Sequence, residues 1–136
     1  MSPARTPPLV LLAEDFEDAR DLYREYLEFS GFQVLTVANG REAIDRAIEQ
    51  QPDLILMDAS MPVLDGWQAT RELKANDATR HIPVVALTAH AFEDARQQAS
   101  AAGCDAFITK PCLPDDLVSQ VRSVLEGPRR RPRNRG

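Results

Sequence analysis

The sequence predicts an α/β protein built on one doubly wound, five-stranded parallel sheet with helices on both faces. Three observations predict it. Five short apolar runs fit for strands alternate with five amphipathic stretches at helical spacing. The apolar runs are continuous instead of alternating with polar residues, as in strands covered on both faces. Turn signals punctuate the boundaries: Gly31, Asn39-Gly40, Pro52-Asp53 and Gly103.

Leu9 to Ala13 is the first strand. A helix follows from Glu17 to Ser30, with Ala19, Leu22, Tyr23, Tyr26, Leu27 and Phe29 at helical spacing and Gly31 as the stop. Phe32 to Ala38 is the second strand, and Asn39-Gly40 is a turn. Arg41 to Gln50 forms a helix with Ala43, Ile44, Ala47 and Ile48 on one face, broken by Pro52-Asp53. The third strand is Leu54 to Asp58, and Gly66 to Asn76 is the next helix. Ile82 to Ala89 holds the fourth strand, which ends near Thr88; Phe92 to Ala102 is a helix closed by Gly103. Asp105 to Lys110 is the fifth strand. Pro114 to Glu126 is the last helix. Proline sits in its first turn, Asp115 and Asp116 favour the positive end of the dipole, and Leu117, Val121, Val124 and Leu125 make the apolar stripe. One domain over residues 8–127 is expected, with disordered ends at 1–7 and 128–136.

At 136 residues with 43% hydrophobic ones, the chain can bury a core. No apolar run approaches the roughly 20 residues of a membrane span. The opening MSPARTPP lacks the apolar segment of a secretory signal, so a cytoplasmic protein is expected. Cys104 and Cys112 match no zinc or redox spacing and read as reduced thiols. Five of the 16 basic residues follow Pro128 in a tail without acids. The rest of the chain sets 11 basic against 21 acidic residues, a formal charge of about −10. An acidic body argues against nucleic-acid binding by the domain itself. The arginine tail reads as a solvated end, as a ligand for nucleic acid or an acidic membrane, or as a strap over the acidic body.

Ligands of doubly wound parallel sheets sit beyond the carboxyl ends of the strands. There the first strand delivers Glu14 and Asp15, the third Asp58, the fourth Thr88 and the fifth Lys110. Taken singly, each has a plain reading: Glu14-Asp15 as a helix cap, Asp58 as a strand-end turn residue, Lys110 as a solvated charge. Taken together, three carboxylates, a hydroxyl and an ammonium are not a core composition. Two like charges 4 Å apart repel by about 4 kcal/mol at an effective dielectric of about 20. Lys110 is one candidate to offset that. A divalent cation is another, and hard oxygen ligands without His or Cys point to Mg²⁺, with Mn²⁺ possible. A carboxylate in such a setting can attack phosphorus and form an acyl phosphate. Positive groups would neutralise the transferred oxygens while the hydroxyl donates to one of them. Asp58 is the natural nucleophile, at the tip of a central strand, with Met61-Pro62 and Asp65-Gly66 fixing the loop behind it.

The motifs AED, MDASMPVLDG, ALTA and ITKP, in this order and spacing, resemble the receiver domain of two-component response regulators, the CheY-like family, over Leu9 to Glu126. The resemblance implies a flavodoxin-like sheet of order 2-1-3-4-5. It implies that Asp58 accepts a phosphoryl group from a histidine kinase or a histidine phosphotransfer protein. Such a protein is a phosphoacceptor switch, not a turnover enzyme, and catalyses only its own phosphorylation and dephosphorylation. Glu14 and Asp15 would hold the metal, with Asp15 and Asp58 as direct ligands and the Ser60 carbonyl completing the set. Thr88 and Lys110 would contact the phosphoryl group. Phe107 stands at the aromatic switch position; it has no hydroxyl, so a signal there would pass by packing alone. Ser60 and His90, each two residues beyond a site residue, would tune the lifetime of the acyl phosphate. Lys110-Pro111 matches the family's cis peptide. No DNA-binding output domain is expected after Glu126, so output would pass through a partner at the fourth and fifth helix regions.

Within signalling, a phosphorelay intermediate and a receiver module of a hybrid histidine kinase are the alternatives. MPVLDGWQATREL and LTAHAFEDAR resemble such modules. Outside signalling, a flavodoxin-like cofactor carrier would need a hydroxyl-rich phosphate loop where this chain has AEDFED. An aspartate-based phosphohydrolase would need a second Asp two residues after its nucleophile, where Ser60 stands. Trp67, the lone tryptophan, falls just after the acceptor loop and offers a fluorescence reporter.

Overall fold

The protein's structure, a computed structural model, describes residues 7–89 and 93–130. The elements are β1 (Leu9–Ala13), α1 (Glu17–Phe29), β2 (Gln33–Val37), α2 (Gly40–Gln50), β3 (Leu54–Asp58), α3 (Gly66–Ala75), β4 (Val84–Thr88), α4 (Glu93–Ala102), β5 (Ala106–Thr109) and α5 (Pro114–Arg130). The strands form one sheet in the order β2-β1-β3-β4-β5, parallel throughout. The expected fold class and strand order are both present.

The continuous apolar runs have the expected cause, since side chains on both faces of each central strand are covered. Val10, Leu12, Leu54, Leu56, Val85, Leu87 and Ile108 pack with Tyr23 and Leu27 of α1 and Leu117, Val121 and Leu125 of α5. The alternate residues Leu11, Ala13, Ile55, Met57 and Val84 pack with Ala43, Ile44 and Ala47 of α2 and Ala69 and Leu73 of α3. Strand alternation alone sorts the residues between the two layers.

Helix ends differ from expectation by small steps with local causes. The chain leaves α1 at Phe29 because Gly31, at φ 100, closes a Schellman turn. Its N–H donates to Glu28 O at 3.0 Å, and the Phe32 N–H donates to Leu27 O at 3.0 Å. Asn39-Gly40 is more than a turn: Asn39 Oδ1 accepts the Glu42 N–H at 2.9 Å, so α2 starts at Gly40, one residue early. Asp65 caps α3 likewise, accepting the Gln68 N–H at 2.9 Å. Helix α5 continues past Glu126 to Arg130. Residues 1–6, 90–92 and 131–136 lie outside the described residues, which include the expected start of α4 at Phe92, His90 and most of the arginine tail. Among the described residues, no helix is long and apolar enough to cross a membrane.

Candidate functional site at the carboxyl edge of the sheet

Register alone brings the first two acids together. Ala13 of β1 lies beside Met57 of β3, so one step further along each strand Glu14 stands next to Asp58. Asp58 in turn lies beside Leu87 of β4, and Thr88 beside Thr109 of β5, with Lys110 one step beyond. Loop amides extend the ladders: Ala59 N–H donates to Leu87 O at 2.9 Å and Lys110 N–H to Thr88 O at 2.7 Å. Four strand ends therefore deliver their polar residues to one edge.

Glu14 is 1% exposed, yet its polar atoms are held. Its N–H donates to Val37 O at 3.1 Å, and its carbonyl accepts Arg20 Nη1 at 2.9 Å. Oε1 accepts Lys110 Nζ at 3.0 Å and Oε2 accepts the Phe16 N–H at 3.3 Å. Asp15 is exposed and does not cap α1. The N-cap residue is Phe16, which makes no side-chain cap bond. The capping explanation for this acid pair thus fails for Asp15. Sequence reasoning missed Arg20; nothing in an amphipathic helix pattern marks one arginine as a brace for a strand end.

Asp58 is 4% exposed. Its Oδ1 accepts the Ser60 N–H at 3.3 Å and lies 3.5 Å from Lys110 Nζ. Burial pushes its carboxyl up, and Glu14 adds to that through a hydrogen bond and repulsion. Lys110 and the Ser60 amide pull the other way, and the balance is a pKa of about 7. Burial alone would lower the pKa of Lys110, but the two carboxylates outweigh it and raise it. The ammonium is firmly charged, the acid beside it is not, and one positive charge does not compensate this edge.

The loop after Asp58 is fixed from several sides. A Cβ on Gly66 would lie 2.1 Å from the Asp58 carbonyl oxygen, so only glycine fits there. The Gly66 N–H donates to Ala59 O at 3.0 Å, and the Gly40 N–H reaches across to Leu64 O at 3.1 Å. Within the loop Val63 adopts φ 68, and the Leu64 N–H donates to Pro62 O at 2.7 Å, closing a γ-turn. An open cavity of about 910 Å³ lies over these groups, lined by Glu14, Asp15, Asp58, Ser60, Thr88 and Lys110, and also by Phe16, Asp65, Trp67 and Gln98. The Lys110-Pro111 peptide is cis, as the resemblance implied.

The carboxylates of Glu14, Asp15 and Asp58 offer oxygens that all lie within 4.8 Å of one another. A hard, all-oxygen set of this density fits Mg²⁺. His90 lies outside the described residues. Phe107 is half-buried on β5, with the Arg96 guanidinium over its ring. Both cysteines are free; burial pushes the Cys104 thiol up to about 11 and raises that of Cys112, as in unreactive thiols.

Comparisons with known proteins agree with this geometry. The family model of the response regulator receiver domain matches residues 10–122. The polar-differentiation response regulator DivK of Brucella anthropi is 40% identical over 119 residues, covering 88% of this chain and 97% of DivK. Among solved structures, the receiver domain of the sensor histidine kinase PA1611 from Pseudomonas aeruginosa, which has a magnesium ion in its active-site cleft, superposes with a TM-score of 0.81. It is 35% identical, over 88% of this chain and 98% of that one. The Vibrio cholerae chemotaxis protein CheY4 reaches a TM-score of 0.82 at 27% identity, over 86% of this chain and 98% of its own. With the match spanning nearly all of the sheet and every strand end that builds the acidic site, the chain belongs to the response regulator receiver domain family of two-component signalling.

Proposed function

We propose that this receiver is a phosphorylation switch in which Asp58 takes a phosphoryl group from a histidine kinase or a histidine phosphotransfer protein. The observation that carries the reading is the convergence of three carboxylates within 4.8 Å beside one ammonium that contacts two of them. Crowding these acids, two of them buried, is unfavourable unless positive charge offsets them, and the same positive charge would receive the oxygens of a phosphoryl group.

In the transfer, an Asp58 carboxylate oxygen forms a bond to phosphorus as the bond from phosphorus to the donor's imidazole nitrogen breaks. The electron pair of the broken bond returns to the ring. Lys110 Nζ is poised to donate to one transferred oxygen, and the Thr88 hydroxyl to another. Asp15, Asp58 and the Ser60 carbonyl would hold Mg²⁺ (or Mn²⁺), with Glu14 behind them. When bound, the cation supplies the positive charge that keeps Asp58 ionised and offsets the phosphoryl oxygens. Ser60 and His90, each two residues beyond a site residue in the sequence, tune how long the acyl phosphate lasts. The new charge draws Thr88 inward, Phe107 follows, and the α4–β5–α5 face changes its partner binding. The receiver unit is residues 8–127, in a cytoplasmic setting; deleting residues 128–136 and measuring partner and DNA binding assigns the tail.

The test is incubation with phosphoramidate and Mg²⁺, read by intact mass. The native chain gains one phosphoryl group and Asp58→Asn gains none; equal labelling of both sinks the reading. The 35% identity to the receiver of a sensor histidine kinase favours one second reading, a relay or hybrid-kinase module. Onward transfer from the labelled chain to a histidine phosphotransfer domain would establish that role.

A further inference from the structure

Phe107 is the residue expected to signal by packing alone, because its ring carries no hydroxyl. The structure adds a charge to that ring. The guanidinium carbon of Arg96, on α4, lies 5.4 Å from the Phe107 ring centroid. That is within the range of a cation–π contact.

The sheet register shows what lies on the ring's other side. Phe107 is paired with Ala86 of β4, and Thr88 follows two residues on. Their neighbours Val85, Leu87 and Ile108 belong to the layer packed against α1 and α5. Strand alternation therefore puts Ala86, Thr88 and Phe107 on the opposite face, the one α4 covers. The partner beside the ring is a single methyl group, and beyond it stands the buried hydroxyl of Thr88. Arg96 is exposed and meets the half-buried ring at its solvent end, while along β4 the residues beside the ring lead to Thr88.

We propose that Arg96 is a positioning residue for Phe107, holding the ring outward against the inward turn that phosphorylation of Asp58 requires. The inference rests on the phosphoacceptor reading above and adds a regulator to it. A guanidinium over an aromatic face at a partly exposed position biases a two-position ring by about two- to fivefold. By linkage, whatever favours the outward ring weakens phosphoryl binding, by up to that same factor when the outward ring predominates. Arg96 thus sets the threshold of the switch without touching the acceptor.

The test uses beryllofluoride with Mg²⁺ as a phosphoryl mimic, with affinities measured by calorimetry on the full chain. Arg96→Met keeps an unbranched, flexible stem and removes the guanidinium and its charge. It is expected to bind beryllofluoride about two- to fivefold more tightly than the unaltered protein, with Arg96→Lys in between. Loss of a positive charge by itself would weaken anion binding, so tightening has the diagnostic sign. In a Phe107→Leu background the Arg96→Met change is expected to have no effect. Mg²⁺ affinity measured without beryllofluoride is expected to be the same for Arg96→Met and the unaltered chain. Unchanged or weaker beryllofluoride binding by Arg96→Met, or the same gain in the Phe107→Leu background, overturns the inference. If the unaltered chain binds Mg²⁺ but no beryllofluoride, the phosphoacceptor reading falls and this inference with it.

Discussion

Strand β3 is bracketed by two aspartates with opposite fates. At its amino end Asp53 Oδ2 accepts the Leu9 N–H at 2.8 Å, pinning β1 to β3. At its carboxyl end Asp58 faces another acid and shares one ammonium with it. The pattern repeats across the sheet. Asp105, at the amino edge, accepts the Val84 N–H at 2.8 Å and Lys74 Nζ at 3.1 Å. Lys74 also donates to Ile82 O at 2.8 Å, so it closes that edge instead of opening it. Each edge has acids and a lysine. At the amino edge Asp53 and Asp105 each accept a backbone N–H of a neighbouring strand; at the carboxyl edge three carboxylates crowd around one ammonium. The first arrangement is structure, and the second is a site waiting for more positive charge.

The sharpest way to break this contrast is to neutralise one aspartate at each end of β3. Asp58→Asn is expected to abolish the phosphoryl mass gain entirely, and also to stabilise the metal-free protein at pH 8, because it removes an ill-compensated charge. Asp53→Ala is expected to retain phosphorylation and to lose about 1–3 kcal/mol, because the Leu9 N–H is left without its acceptor. Chemical denaturation with chelator present gives both values. If the two substitutions shift stability in the same direction, the two edges are not the opposites described.

The next effect is a pH dependence confined to the carboxyl edge. Asp58 has its pKa raised from 3.8 to about 7 in the folded chain. Between those values the folded state binds a proton that the unfolded state has lost. The metal-free protein therefore loses stability as pH rises through this window, and the whole penalty is present above it. The expected size is a few kcal/mol. The clean measurement is the stability difference between the native chain and Asp58→Asn from pH 4 to pH 8. That difference is expected to widen with pH without Mg²⁺ and to shrink when Mg²⁺ is added. A flat difference would mean that the acids are not crowded.

At the amino edge the expected changes are smaller and independent of metal. Lys74→Met strips Asp105 of its ammonium and leaves Ile82 O without that donor. Since Asp105 is partly exposed and keeps the Val84 N–H, a loss of about 1 kcal/mol is expected, equal with and without Mg²⁺. Any Mg²⁺ dependence would tie this lysine to the site.

Much of this was legible in the chain. Continuous apolar runs gave away strands covered on both faces, and parallel strands must send their carboxyl ends to one edge. Glu14, Asp58, Thr88 and Lys110 follow from those two facts. What could not be read was which acids are compensated. Asp53 and Asp58 look alike in the sequence, and the donor that settles the role of Asp53 lies 44 residues away on β1. Arg96 over Phe107 was hidden for the same reason: the contact depends on how α4 lies across β5, and helical spacing says nothing about that. Nor could the sequence discard a capping role for Asp15, which falls only because the N-cap of α1 is Phe16.

The smallest expected effect probes strain stored beside the acceptor. Val63, 79% exposed, holds φ 68 in the γ-turn closed by the Leu64 N–H on Pro62 O. A β-branched residue in that conformation costs on the order of 1–3 kcal/mol, and burial of its side chain offers nothing in return. Val63→Gly relieves the strain but gives the unfolded chain more freedom, worth roughly 0.5–1 kcal/mol the other way. The net expectation is a gain of about 1 kcal/mol, read as a higher denaturation midpoint with an unchanged slope. No comparable relief is expected from a glycine at Gln51, the left-handed residue that ends α2, because its side-chain Nε2 donates to Ala78 O at 2.9 Å and holds that turn in place. If Val63→Gly destabilises while Gln51→Gly does not, strain is not concentrated in the acceptor loop, and the contrast between the two edges reduces to charge alone.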